Sequence, residues 1–112
     1  MRSMKPTMAN ILAELAPRDD TEQSDDLVRT ESLCIERIVS HGHASPPGFW
    51  YDQDAAEWVV VIEGSARLQI EGEPAPRLLE RGDWIDLPAR CRHRLEWTDP
   101  SRPTIWLAVH YR

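Results

Sequence analysis

Apolar residues fall in short runs along the chain, separated by clusters of Gly, Pro, Asp and Ser, and most runs repeat with a period of two. At 66–70, Ala66, Leu68 and Ile70 alternate with Arg67 and Gln69, which predicts a strand with one buried face. Residues 57–62 contain three consecutive valines and form the strongest strand candidate. The run at 32–40 alternates imperfectly, through Leu33, Ile35, Ile38 and Val39. At 104–111 both phases are apolar, with Ile105, Leu107 and Val109 against Trp106 and Ala108. Such a strand is covered on both sides, by a second sheet or by another subunit. Shorter strands are predicted at 49–53, 77–79, 84–87 and 91–97. Turn signals lie between them: Gly42 with Pro46 and Pro47, Gly64, the 71–76 hairpin loop, Arg81-Gly82-Asp83, and 99–103. Eight short strands with almost no helix predict an all-β sandwich or barrel.

The first part of the chain reads differently. Met8, Ile11, Leu12 and Leu15 recur at helical spacing, so residues 9–15 are expected to form one or two helical turns or an extended segment docked on the barrel. Residues 18–26 are polar and acidic and are expected to be a mobile linker. The expected organisation is an arm and linker at 1–26 and one β domain at 27–112, with no internal repeat.

Composition narrows the function. The 112 residues suffice for one domain with its own core. A net charge of −6, from 13 basic and 19 acidic residues, argues against nucleic-acid and anionic-membrane partners, both of which demand cations. Two cysteines, Cys34 and Cys91, do not make a disulfide framework. No signal peptide or membrane-length apolar run is read, so the expected location is the cytoplasm. No Gly-rich phosphate loop, Gly-x-Ser-x-Gly elbow or Cys-x-x-Cys pair is present.

Two stretches resemble the paired signature motifs of the cupin superfamily. Glu57 and Gly64 have the glutamate–glycine spacing of the first motif, and Gly82, Pro88 and His93 have the glycine–proline–histidine spacing of the second. The stretches 48–64 and 104–111 are also similar to small bacterial single-domain cupins, a group mostly without assigned function. The resemblance implies a double-stranded β-helix, or jelly roll, spanning about 32–111. It also implies a mononuclear metal site (Fe, Mn, Ni or Zn) inside the barrel, normally held by three imidazoles and a carboxylate. The first motif is degenerate here. Its paired histidines fall at Trp50 and Asp52, or at Tyr51 and Gln53 with the loop shifted by one residue. In the second motif Arg90 replaces a glycine, and Trp97 stands where a polar residue is usual. The residual ligand set implied is Asp52, Glu57 and His93, an oxygen-rich shell that favours harder ions.

Without metal, Glu57 and His93 can form a buried acid–base pair able to move a proton in an isomerase or epimerase step. Trp50, Tyr51, Gln53 and Trp97 are expected to line the pocket or plug it. His41 and His43 form a His-x-His pair too far before Glu57 for the motif and are expected on a surface loop. His110, on the last strand, is expected to be structural rather than a ligand. Three functions follow: a metal-dependent dioxygenase- or isomerase-type enzyme acting on a small organic molecule, a noncatalytic small-ligand binding or sensing module, or a vestigial structural homodimer.

Overall fold

The computed structural model describes residues 4–112. Its eight strands are β1 (Gln23–Arg29), β2 (Leu33–Ser40), β3 (Ala56–Glu63), β4 (Ser65–Ile70), β5 (Arg77–Glu80), β6 (Trp84–Leu87), β7 (His93–Thr98) and β8 (Thr104–Tyr111). They form a five-stranded sheet, ordered β1-β2-β8-β3-β6, and a three-stranded sheet, ordered β5-β4-β7, with every pairing antiparallel. This is a jelly roll, as expected. Among the described residues no helix is long and apolar enough to cross a membrane.

Alternation builds the core. Val59 and Val61 of β3, Leu68 of β4, Leu95 of β7 and Trp106 of β8 project between the sheets and are buried together with Ala66, Leu79, Leu87 and Ala108. Gly64 makes the step from the large sheet to the small one. Its φ is +95°, and a Cβ there would lie 2.4 to 2.8 Å from atoms of Thr104. Only glycine satisfies both the left-handed backbone and the close approach.

The structure departs from expectation at three places. Residues 9–15 form no helix. The Arg37 guanidinium, 8% exposed, takes the carbonyls of Ile11, Ala13 and Glu14 that a helix would use internally, and Glu14 has a left-handed φ of 56°. Arg37 also pairs with Asp25 at 2.7 Å, so one buried cation fastens the arm and β1 to β2. Secondly, residues 23–26, expected in the linker, belong to β1. Their polar sequence conceals an edge strand whose hydrogen bonds go to β2. Thirdly, residues 49–53 are not a strand. Tyr51 alone bridges β7, exchanging backbone hydrogen bonds of 2.7 and 3.2 Å with His93.

Candidate active site

A cavity of about 400 Å³ opens between the two sheets. Strand alternation brings its polar groups together. Glu57 shares a face of β3 with core Val59, and it lies in direct register with His110 of β8. His110 shares its face with Trp106 and Ala108. Glu36 of β2 pairs with Ala108 and so stands diagonal to His110, within side-chain reach. His93 enters from β7 in the opposite sheet.

The contacts form a line across the barrel. Ser24 Oγ donates to Glu36 Oε2 at 2.7 Å, and the other oxygen of Glu36 lies 2.8 Å from His110 Nε2. Glu57 Oε2 is 3.9 Å from the same nitrogen, and Glu57 Oε1 is 3.5 Å from His93 Nε2. The side chains of His93 and Glu57 are only 6% and 12% exposed. His93 Nδ1 lies 2.9 Å from the Cys91 carbonyl, which can only accept, so Nδ1 carries a proton and Nε2 faces Glu57. Tyr51 stacks on the His93 ring at 5.2 Å.

The electrostatics follow from these neighbours. For His110 the Glu36 hydrogen bond raises the pKa above 6.5, against burial and with help from Glu57. The same bond lowers Glu36 below 4.5, again against burial. For His93 burial opposes the charge, but the Glu57 carboxylate and the Cys91 carbonyl outweigh it and raise the pKa. Tyr51 is pushed up by burial and then by the fields of Glu22, Glu57 and Glu36.

Of the residues singled out in the sequence, Glu57, His93, Tyr51 and Gln53 line the cavity. So does His110, which was expected to be structural. Asp52 does not. It is exposed and pairs with Arg90 at 3.1 Å. Alternation along the loop turns Tyr51 and Gln53 inward and Asp52 outward. Trp50 and Trp97 also stand outside the lining. Arg92 and Arg94 lie over the Trp50 ring at 5.6 and 5.9 Å, and Arg67 lies over Trp97 at 4.9 Å. Neither indole plugs the cavity. His41 and His43 lie off it as well. The backbone N–H of His41 donates to His43 Nδ1 at 2.8 Å, and His43 Nε2 donates to the Asp19 carbonyl at 2.7 Å, tying the arm to the loop.

The residual metal shell is therefore not assembled, because Asp52 faces away from Glu57 and His93. Among the described residues no group of three or more His, Cys, Asp or Glu is arranged to hold a metal ion.

Glu22, Ser24 and Glu36 were not foreseen as cavity residues. The signal for Glu36 was present, as a lone carboxylate in an apolar run where the alternation breaks. Its partner is 74 positions away, and no local pattern reports it. Arg90 shows the reverse. It replaces a glycine of the second motif and still keeps a left-handed φ of 67°.

The cupin domain family matches residues 32–110, and the chain belongs to the cupin family. A protein from Ralstonia eutropha JMP134, described provisionally as a mannose-6-phosphate isomerase, is 49% identical with a TM-score of 0.92. The match covers 95% of this chain and 98% of that one. An RmlC-like cupin from Methanocaldococcus jannaschii shares the double-stranded β-helix at 20% identity and TM-score 0.67, over 88% and 86% of the two chains. A cupin superfamily protein from Desulfitobacterium hafniense does so at 13% identity and TM-score 0.70, over 87% and 83%. No curated protein matches.

Proposed function

We propose that this cupin is an isomerase-type enzyme that moves a proton between adjacent carbons of a small organic molecule. The observation that carries the reading is the position of Glu57, whose two carboxylate oxygens face two different imidazoles at 3.5 and 3.9 Å. Both separations are too long for a good hydrogen bond, so the Glu57 carboxylate and His93 Nε2 are free to engage substrate atoms. Glu57 removes the proton from a hydroxyl-bearing carbon beside a carbonyl, and the electron pair of that C–H bond forms the enediol double bond. The His93 imidazolium gives its Nε2 proton to the carbonyl oxygen. Collapse of the enediol, with Glu57 returning its proton to the neighbouring carbon and His93 recovering one from the second oxygen, completes the isomerisation.

The raised pKa of His93, which the Glu57 carboxylate and the Cys91 carbonyl hold up against burial, favours the charged ring that the acid role needs. Glu36 and Ser24 extend the line of hydrogen bonds from His110 toward exposed Ser24. The provisional description of the Ralstonia relative as an isomerase names the same class of reaction.

The test is deuterium wash-in. The protein is incubated in deuterium oxide with a panel of small α-hydroxy aldehydes and α-hydroxy ketones, with and without an amino group, and label at the carbon beside the carbonyl is read by mass spectrometry. Incorporation into one panel member, reduced about a hundredfold or more in Glu57→Gln, is the expected result. No incorporation into any member, or incorporation indifferent to Glu57→Gln, would leave the cavity as a binding module without turnover.

A further inference from the structure

We propose that the molecule bound in this cavity carries an ammonium group, and that the site rejects phosphates and carboxylates. The inference rests on the cavity being the binding site, as argued above, and adds the charge class of its ligand.

Among the described residues, three carboxylates line the cavity, those of Glu22, Glu36 and Glu57, against two imidazoles and no lysine or arginine. The cavity therefore stays negative even with both rings protonated. Glu22 is the group with no charge to offset it. Its carboxylate accepts the Ser40 hydroxyl, whose oxygen accepts Trp106 Nε1–H at 3.1 Å. It makes no ion pair among the described residues, whereas Glu36 and Glu57 both face imidazoles. The Tyr51 hydroxyl experiences the result, because the fields of Glu22, Glu57 and Glu36 all add to burial in suppressing its ionisation.

A phosphate would need what this wall lacks, a guanidinium, an ammonium or a cluster of free N–H donors. The arginines that flank His93 in the chain are engaged outside the cavity: Arg90 with Asp52 at 3.1 Å, Arg92 with Glu71 at 2.8 Å and Arg94 with Glu96 at 2.9 Å. An ammonium group finds the opposite. Glu22 supplies the counter-charge, and two aromatic side chains, Tyr51 and Trp106, line the same cavity. The remaining wall, including Ile38, Leu68 and Leu87, suits a compact apolar body. A substrate with a primary amine near its carbonyl meets both demands. The phosphosugar in the Ralstonia relative's description does not.

Isothermal titration at low salt and near-neutral pH decides the matter with benzylamine, benzyl alcohol and benzoate, one skeleton in three charge states, beside mannose 6-phosphate. Benzylamine is expected to bind most tightly, benzyl alcohol more weakly, and the two anions not at all. Glu22→Gln should weaken benzylamine about fivefold and leave benzyl alcohol within about twofold. Asp52→Asn, an acidic residue outside the cavity, should change neither. Benzoate or mannose 6-phosphate binding as tightly as benzylamine would overturn the proposal, as would a Glu22→Gln variant that keeps full affinity for benzylamine. With deuterium exchange intact, those outcomes sink the ammonium preference alone. Binding of none of the four probes would sink it together with the binding-site reading.

Discussion

Glu36 and His110 meet across β2 and β8, carboxylate oxygen to ring nitrogen, at 2.8 Å with side chains 18% and 21% exposed. The pair binds strand to strand in the layer that also holds Glu57. Its contribution depends on pH from both ends. His110 has a folded pKa above its ordinary 6.5, so its share of stability is full below 6.5 and is lost as pH rises through the folded value. Glu36 has a folded pKa below 4.5, so its share is full above 4.5 and is lost as pH falls through the folded value. Denaturant unfolding of wild type and His110→Gln should differ by about 1–2 kcal/mol near pH 6. The gap should narrow toward pH 9. A gap that stays constant with pH would mean the pair is not ionic.

Two positions in the signature motifs test the left-handed backbone from opposite directions. Gly64→Ala must place a methyl against Thr104 at a φ of +95°, and a loss of about 3 kcal/mol or more is expected. Arg90→Gly removes a side chain from a left-handed residue and gives up an ion pair with Asp52 whose Arg side chain is 66% exposed. Thermal unfolding should show that variant as stable as wild type or slightly more so. A clear loss for Arg90→Gly would show that its pairing with Asp52 holds the Tyr51 loop in place.

Asp52 faces solvent, and its removal should be silent at the site. Metal content by plasma mass spectrometry and deuterium exchange should both be unchanged in Asp52→Ala. His93→Gln, which touches Glu57, should abolish exchange. Metal present in wild type and missing from Asp52→Ala would instead require the loop to turn Asp52 inward.

The outer face of the large sheet is where a second copy of this chain is expected to sit. Trp84 is 62% exposed and lies 5.9 Å from Trp58. Leu107 and Val60, paired across β8 and β3 beside Trp84, continue the apolar patch. An exposed tryptophan beside a half-buried one, on an apolar strand face, is characteristic of subunit contacts. Light scattering after size exclusion should give a dimer mass for wild type and a monomer mass for Trp84→Arg. A wild-type monomer at all concentrations would remove the partner.

The sequence revealed elements whose causes are local. Residues 104–111 were bounded correctly because both phases of β8 are apolar and turn residues precede it. Glu57 and His93 were found because motif spacing fixes where each strand begins. Elements settled by distant partners were hidden. β1 reads as a linker until its edge pairing with β2 is known. The arm looks helical until Arg37 takes its carbonyls. Tyr51 and Gln53 could not be separated from Asp52 by residue type, since only the bridge from Tyr51 to His93 sets which residues of that loop turn inward.

The central position of β8 also bears on how the protein is made. This last strand lies between β2 and β3, and it brings His110 to a partner 74 positions earlier. A nascent chain lacking it would have two apolar strands with bare hydrogen-bonding edges and no closed sheet. Pairings this remote in sequence fold slowly, over milliseconds to seconds. In that interval the unpaired edges of β2 and β3 are open to other chains. Yield on expression should therefore depend most on substitutions that weaken β8, even conservative ones far from the cavity.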